Sequence, residues 1–436
     1  MSKISTNDVY TLKGVSLADG TVLNIVISGS TIASLGSESD GEIIDCTGLM
    51  ALPGFVDLHT HLREPGKEDS ETVLTGSRAA VVGGYTAISA MANTSPVADT
   101  AGVVEQVFRL GKEAGLCEVF PIGAVTVGLL GERLSEIGAM AESAAAVRVF
   151  SDDGKCVSDP LVMRRALEYV KSFGGIIAQH AQDPRLTENS QMNEGEVSSR
   201  LGLAGWPAVA EEAIIARDIL LADHVKSRLH ICHLTTRGGV ELVRWAKSQG
   251  INVTAEVTPH HLLLTDELVE SYDPIYKVNP PLRTQADVLA LREGLADGTI
   301  DIVATDHAPH PTEDKECEWS AAAFGMLGLE TALSVVVKTM VETGAITWSK
   351  LVEVMSINPA KIGGYDRQGK PLQVGGPANI VVVNPTAEWI VDRGHMASKS
   401  RNTPFHGMTL PTKVLHTIFE GVFVLKDAEL TGAKHE

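Results

Sequence analysis

The segment GFVDLHTHLREPG, residues 54–66, is an apolar run that closes on polar side chains. Residues two apart in a strand point to the same side, so Asp57, His59 and His61 share one face, with Arg63 next in phase if the strand persists. A lone histidine in such a run is ordinarily a hydrogen-bonded core residue. Two on one face at a strand end point to a metal, because histidine is the commonest side chain in that role.

Seven more runs of the same kind follow. The predicted strands span Gly54–His59, Thr86–Met91, Cys117–Gly123, Val147–Ser151, Gly175–His180, Leu229–His233, Asn252–Val257 and Ile300–Thr305. Between them, Pro160–Lys171, Pro207–Ala222 and Gly239–Ser248 have helical spacing and capping-type starts. Eight β–α alternations over about 310 residues predict a closed parallel (β/α)8 TIM barrel, an α/β fold, rather than an open doubly wound sheet. No G-x-G-x-x-G or G-x-x-x-x-G-K-[ST] follows the first strand, which removes the usual reason for the open sheet. Both chain ends read differently, as short strands with turns such as Asp19-Gly20.

Active sites of barrels lie at the C-terminal strand ends, and four further ends carry candidate ligands. FSDDG offers Asp152 and Asp153, and the spacing alone does not choose between them. IIAQHAQD offers His180. RLHICHL offers His233, with His230 three residues earlier, and ATDHAPH offers Asp306 with His307 and His310 beyond it. Each Asp taken singly is explained by helix capping. Four histidines and two aspartates on five strand ends form a ring that such local explanations do not cover. The donors are nitrogen and oxygen only, a set suited to Zn²⁺, and six exceed the needs of one tetrahedral ion with an open position. Two metals bridged by a carboxylate fit the number, and such sites bring the pKa of bound water from 15.7 to about 7. Hydrolysis of an amide or ester is the expected chemistry.

The 436 residues carry 36 Lys+Arg against 55 Asp+Glu, a formal charge of −19. That balance argues against a sequence-independent nucleic-acid or anionic-membrane binder. Five cysteines with no C-x-x-C pair do not read as a disulfide framework. The N-terminus lacks the apolar core of a signal peptide, and no apolar run is long enough to span a membrane, so a reducing cytoplasmic compartment is expected.

Together, DLHTHLREPG, the N-T of MANTSP, FSDDG, TAEVTPHHL, KVNPPLR and ATDHAPH resemble dihydroorotases of the bacterial type, in the amidohydrolase superfamily. The resemblance runs from about Leu49 to Gly364, where SINPAK is also typical. It implies a metal-dependent barrel (54–364) with a small β-sandwich domain made from residues 1–53 and 365–436. It implies reversible interconversion of N-carbamoyl-L-aspartate and L-dihydroorotate in pyrimidine synthesis, with two zinc ions per subunit. Carried over by position, His59, His61 and Asp306 would bind one metal, and His180 and His233 the other, with Asp153 bridging. Asp153 is preferred to Asp152 because the family's ligand immediately precedes the glycine. Asp306 would be the proton-transferring catalytic residue, Arg63, Asn93 and His310 would hold the substrate carboxylate, and Asn279 with Phe324-Gly325 would contact the ring. Family members commonly dimerise, and some associate with aspartate transcarbamoylase. Two alternatives stand beside this reading. One is a hydantoinase- or allantoinase-like cyclic amidohydrolase, which Arg63 with Asn93 and the absence of a strand-end bridging lysine disfavour. The other is an inactive dihydroorotase-like subunit scaffolding aspartate transcarbamoylase, a class that characteristically loses metal ligands.

Overall fold

A computed structural model describes residues 9–431, so the outermost parts of the two predicted terminal segments, 1–8 and 432–436, lie outside the described residues. Eight parallel strands carry the middle of the chain: β1 Phe55–Thr60, β2 Tyr85–Ala90, β3 Glu118–Pro121, β4 Val149–Phe150, β5 Ile176–Gln179, β6 Leu229–Ile231, β7 Val253–Val257 and β8 Ile302–Val303. β1, β2 and β3 pair in order, as do β4 to β8. Isolated parallel bridges join the margins of the two sheets, Gly123 to Phe150 and Thr60 to His307. Thr60 of β1 thus pairs with His307, four residues past β8.

All eight predicted strands exist, but several stop short of their expected ends. β5 ends at Gln179 and β6 at Ile231, so His180 and His233 lie just past the ladder rather than on it. The physical reason is local at several of these ends. His233 and Asp306 have φ of +29° and +47°, and Arg63 has +63°. Left-handed backbone interrupts strand pairing and turns the following side chains off the pleat. Arg63 accordingly lies in the irregular connection after β1, just before the turn at 64–66, and not on the strand.

The helices cover the strands because their apolar positions recur at helical spacing. The helix Pro160–Lys171 starts with Asp159, whose carboxylate accepts from Leu161 N (2.8 Å) and Val162 N (2.9 Å), with Pro160 at the first position. It buries Met163, Ala166, Leu167 and Val170, an i, i+3, i+4, i+7 stripe. On the other side of the strands, Val56, Ala87, Ile122, Val149, Ile176, Ala178 and Ile302 pack with Ala360 and Ile362 of the helix Asn358–Gly363 and with Tyr365 just after it. Tyr365 stacks on Phe120 at 3.6 Å and meets Ser89 Oγ at 2.7 Å.

The chain ends meet in one nine-stranded sheet. Its order runs from Glu429–Leu430 through Val422–Lys426, Thr409–Phe419, Ile380–Ile390, Met50–Pro53, Val9–Ser16 and Val22–Ser28 to Thr31–Gly36, with Glu42–Asp45 also beside Val9–Ser16. It has its own core, including Leu12, Ile25, Ile27, Ile380, Val382 and Ile418. Asp19-Gly20 makes the turn between the first two strands, with Gly20 at φ +86°. Among the described residues, no helix is long and apolar enough to cross a membrane.

Candidate metal centre

The six predicted ligands converge. His59, at the end of β1, and His61, beyond it, point Nε2 at Asp153 Oδ2, each at 3.3 Å, and at Asp306 Oδ1, at 3.4 and 3.0 Å. His180 Nδ1 and His233 Nε2 both lie 3.1 Å from the other oxygen of Asp153 and 2.9 Å from one another. Asp153 thus presents one oxygen to each histidine pair. All six side chains are buried.

The outer ring nitrogens fix the tautomers. His59 Nδ1 donates to Glu256 Oε1 (2.5 Å), His61 Nδ1 to Asn93 Oδ1 (2.9 Å) and His180 Nε2 to Gln182 Oε1 (2.7 Å). With the proton on the outer nitrogen, each inner nitrogen offers a lone pair toward carboxylate oxygens that are acceptors too. Acceptors facing acceptors need a cation between them. Among the described residues, His59 Nε2 is a buried nitrogen without a hydrogen-bond partner. Two donors about 2.1 Å from one tetrahedral ion sit roughly 3.4 Å apart, close to the 3.0–3.4 Å of the His59–His61–Asp153–Asp306 group. The electrostatics agree. Burial disfavours a charge on His59, yet Asp153, Glu256 and Asp306 raise its proton affinity well above the usual range. That field favours any cation. Burial likewise opposes ionisation of Asp306, but His59 and the His61 contact outweigh it and hold its pKa at about 2.

The two aspartates of FSDDG part company. Asp152 turns away, accepting from Val125 N (2.8 Å), Thr126 N (2.9 Å) and Thr126 Oγ1. His230 is also outside the nest, donating from Nε2 to Glu256 Oε2 at 2.9 Å. His307 faces Glu71 at 3.3 Å. His261 is held by Thr258 Oγ1 (2.7 Å) and Pro281 O (3.2 Å), whereas His260 Nε2 is buried without a partner.

The expected substrate contacts lie in the same region but are engaged differently. Arg63, 7% exposed, donates from Nε to Pro309 O (3.1 Å), with Nη2 3.3 Å from His310 Nε2. That His310 nitrogen lies 2.8 Å from Phe324 O and so carries the hydrogen. Burial and the Arg63 charge hold the His310 pKa at about 2, so the ring is neutral. Asn93, expected on the substrate, spends its oxygen on His61; its Nδ2 lies near Gly154. Asn279 donates to Gln182 at 3.4 Å and leaves Oδ1 buried and unpartnered. Phe324 O receives His310 Nε2 and Gly325 N donates to Lys277 O (3.0 Å), so both groups also brace the loop.

Glu256 is the residue beside this centre that the sequence did not single out. It is 1% exposed, next to the last residue of β7, and it receives His59 Nδ1, His233 N (3.1 Å) and His230 Nε2. A charged residue inside the otherwise uncharged strand VTAEV was the available clue.

The Dihydro-orotase-like family profile matches residues 48–239. A protein named dihydroorotase from Streptomyces coelicolor is 64% identical over 423 residues, covering 96% of this chain and 99% of that one. The chain belongs to the dihydroorotase family. The Mycobacterium tuberculosis member is 54% identical over 94% of this chain and 97% of its own. Among solved structures, the L-hydantoinase (dihydropyrimidinase) of Arthrobacter aurescens superposes with a TM-score of 0.84 at 26% identity, covering 96% of each chain. A dihydropyrimidinase from Brevibacillus agri, at 22% identity and TM-score 0.83 over 97% of this chain and 96% of that one, shares the fold. For a dihydroorotase-family chain, the mixed α/β architecture and the His/Asp groups able to hold metal are both in place.

Proposed function

We propose that this chain is a zinc-dependent cyclic amidohydrolase that interconverts N-carbamoyl-L-aspartate and L-dihydroorotate in pyrimidine synthesis. In this reading the eight parallel strands close as a (β/α)8 barrel over residues 54–364, and the terminal segments 1–53 and 365–436 make a small β-sandwich-type domain. The observation that carries the substrate class is Arg63. It is a buried guanidinium beside the metal nest, and among the described residues no carboxylate oxygen lies within 4.0 Å of it. A buried cation without a counter-charge is costly, and a substrate carboxylate supplies the planar match. An unsubstituted hydantoin or allantoin ring has no such group.

His59, His61 and Asp306 would hold one metal, His180 and His233 the other, with Asp153 between them. When bound, the metals supply Lewis-acid polarisation of the ring carbonyl and an activated water. Asp306, ionised at neutral pH, is suited to take the proton of the attacking water and deliver it to the leaving nitrogen. Neutral His310, the amide nitrogen of Asn93 and the free oxygen of Asn279 remain for orienting the substrate by hydrogen bonds. The filled ligand ring speaks against an inactive scaffold subunit.

The deciding measurement is ring opening of L-dihydroorotate by metal-loaded protein, with hydantoin and allantoin in parallel and metal analysis of the same sample. Turnover confined to dihydroorotate is expected. Turnover of hydantoin instead, or none by metal-replete protein, would remove this reading.

A further inference from the structure

The segment after β8, residues 307–327, carries His310 near one end and Phe324-Gly325 near the other. A single side chain from far along the sequence ties these ends together. Asn402 lies in the connection between the strands Ile380–Ile390 and Thr409–Phe419. Its Nδ2 donates to Ala308 O (2.9 Å) and Gly325 O (3.1 Å), and its Oδ1 accepts from His310 N (3.2 Å). Its own carbonyl accepts from Leu327 N at 3.1 Å. Both amide hydrogens and the oxygen are thus in use, in a residue 3% exposed.

The clamped turn reaches the substrate end of the site by two routes. His310 is held at its backbone by Asn402 and at its ring by Phe324 O. Arg63 Nε donates to Pro309 O, between the two residues that Asn402 fixes. The turn at Gly325 is closely packed against the clamped end. Gly325 has φ +148°, and a Cβ there would lie 2.8 Å from His310 Nε2 and 2.9 Å from Ala308 O.

We propose that Asn402 is a positioning residue for the carboxylate-binding end of the site, setting His310 and Arg63 by tying together both ends of the 307–327 loop. This rests on the ring-opening function above. Asn402 contacts none of the six ligands, so its loss should weaken substrate binding while leaving the chemical step and the metals intact.

The test is steady-state ring opening of L-dihydroorotate by the metal-loaded full chain carrying Asn402→Asp or Asn402→Ala. Asp keeps the shape but replaces the two donors with an oxygen facing two carbonyls. Its KM should rise about tenfold or more, with kcat within about threefold of wild type and metal content unchanged. Asn402→Ala should raise KM less than Asn402→Asp, the reverse of what a packing role predicts. An unchanged KM, or a larger effect from Ala than from Asp, would overturn the inference. If the Asp variant does not fold with metal, a raised or unchanged KM in the Ala variant decides, and failure of both to fold would make the residue structural. A wild-type protein inert toward dihydroorotate would remove the functional reading and this inference together, whereas an active wild type with indifferent variants removes only the inference.

Discussion

Asp306, the proposed proton carrier, also lies among the candidate metal ligands, and the two roles separate by substitution. Asp306→Asn keeps an oxygen for the metal but loses the proton carrier. It should retain metal and lose about 10²–10⁴ in kcat; near-normal turnover would take Asp306 out of that role. Arg63→Met removes a charge-assisted contact equally from ground and transition state, so KM should rise about 10- to 100-fold with little change in kcat. An unaltered KM would count against carboxylate binding by Arg63. Glu256 binds no metal in this account, yet one of its oxygens receives both His59 Nδ1 and His233 N, one from each half of the centre. Glu256→Gln should weaken metal binding about 10- to 100-fold, read by titration against a chromophoric chelator. Equal affinity would show that Glu256 is only filling the strand interior.

The strand ends are set by the elements packed behind them. Gln179, the last residue of β5 and the neighbour of His180, donates from Nε2 to Asp218 Oδ2 at 2.8 Å. Asp218 is fully buried on the helix Val209–Val225, and desolvation raises its pKa from 3.8 to about 6. The folded state therefore holds this proton more tightly than the unfolded chain. Stability contributed by the protonated form is complete below about pH 4 and is lost as pH rises to about 6, by up to roughly 3 kcal/mol. Asp218→Asn removes this dependence, so wild type minus variant in Tm should fall between pH 4 and 7. A difference independent of pH would contradict the assignment. The strands themselves were legible from period-two alternation and apolar runs, which are local properties. Their exact ends were not: the left-handed φ at Arg63, His233 and Asp306 interrupts pairing there, and the period-two pattern does not mark it.

At the scale of the molecule, a chain of charge −19 is proposed to receive a small anionic substrate, so attraction must be local, from metal cations and from Arg63. Those cations should also support the fold, since six buried donors otherwise face one another. Chelation should lower Tm, and restored Zn²⁺ at about 1,000 times its Kd should return about 4 kcal/mol per site, visible as an upward shift of several degrees by calorimetry. An unchanged Tm would argue that the nest holds no metal. The sequence by itself determined the eight β–α units, the β-rich ends and the ring of histidines and aspartates at strand ends, because periodicity and chain order are written locally. Tertiary structure decided which ring nitrogen each histidine turns inward, and the parts played by Glu256 and Asn402. Those outcomes depend on partners such as His59 and Glu256, 197 residues apart. Contact between such distant residues follows from how the whole chain packs, and no local pattern records it.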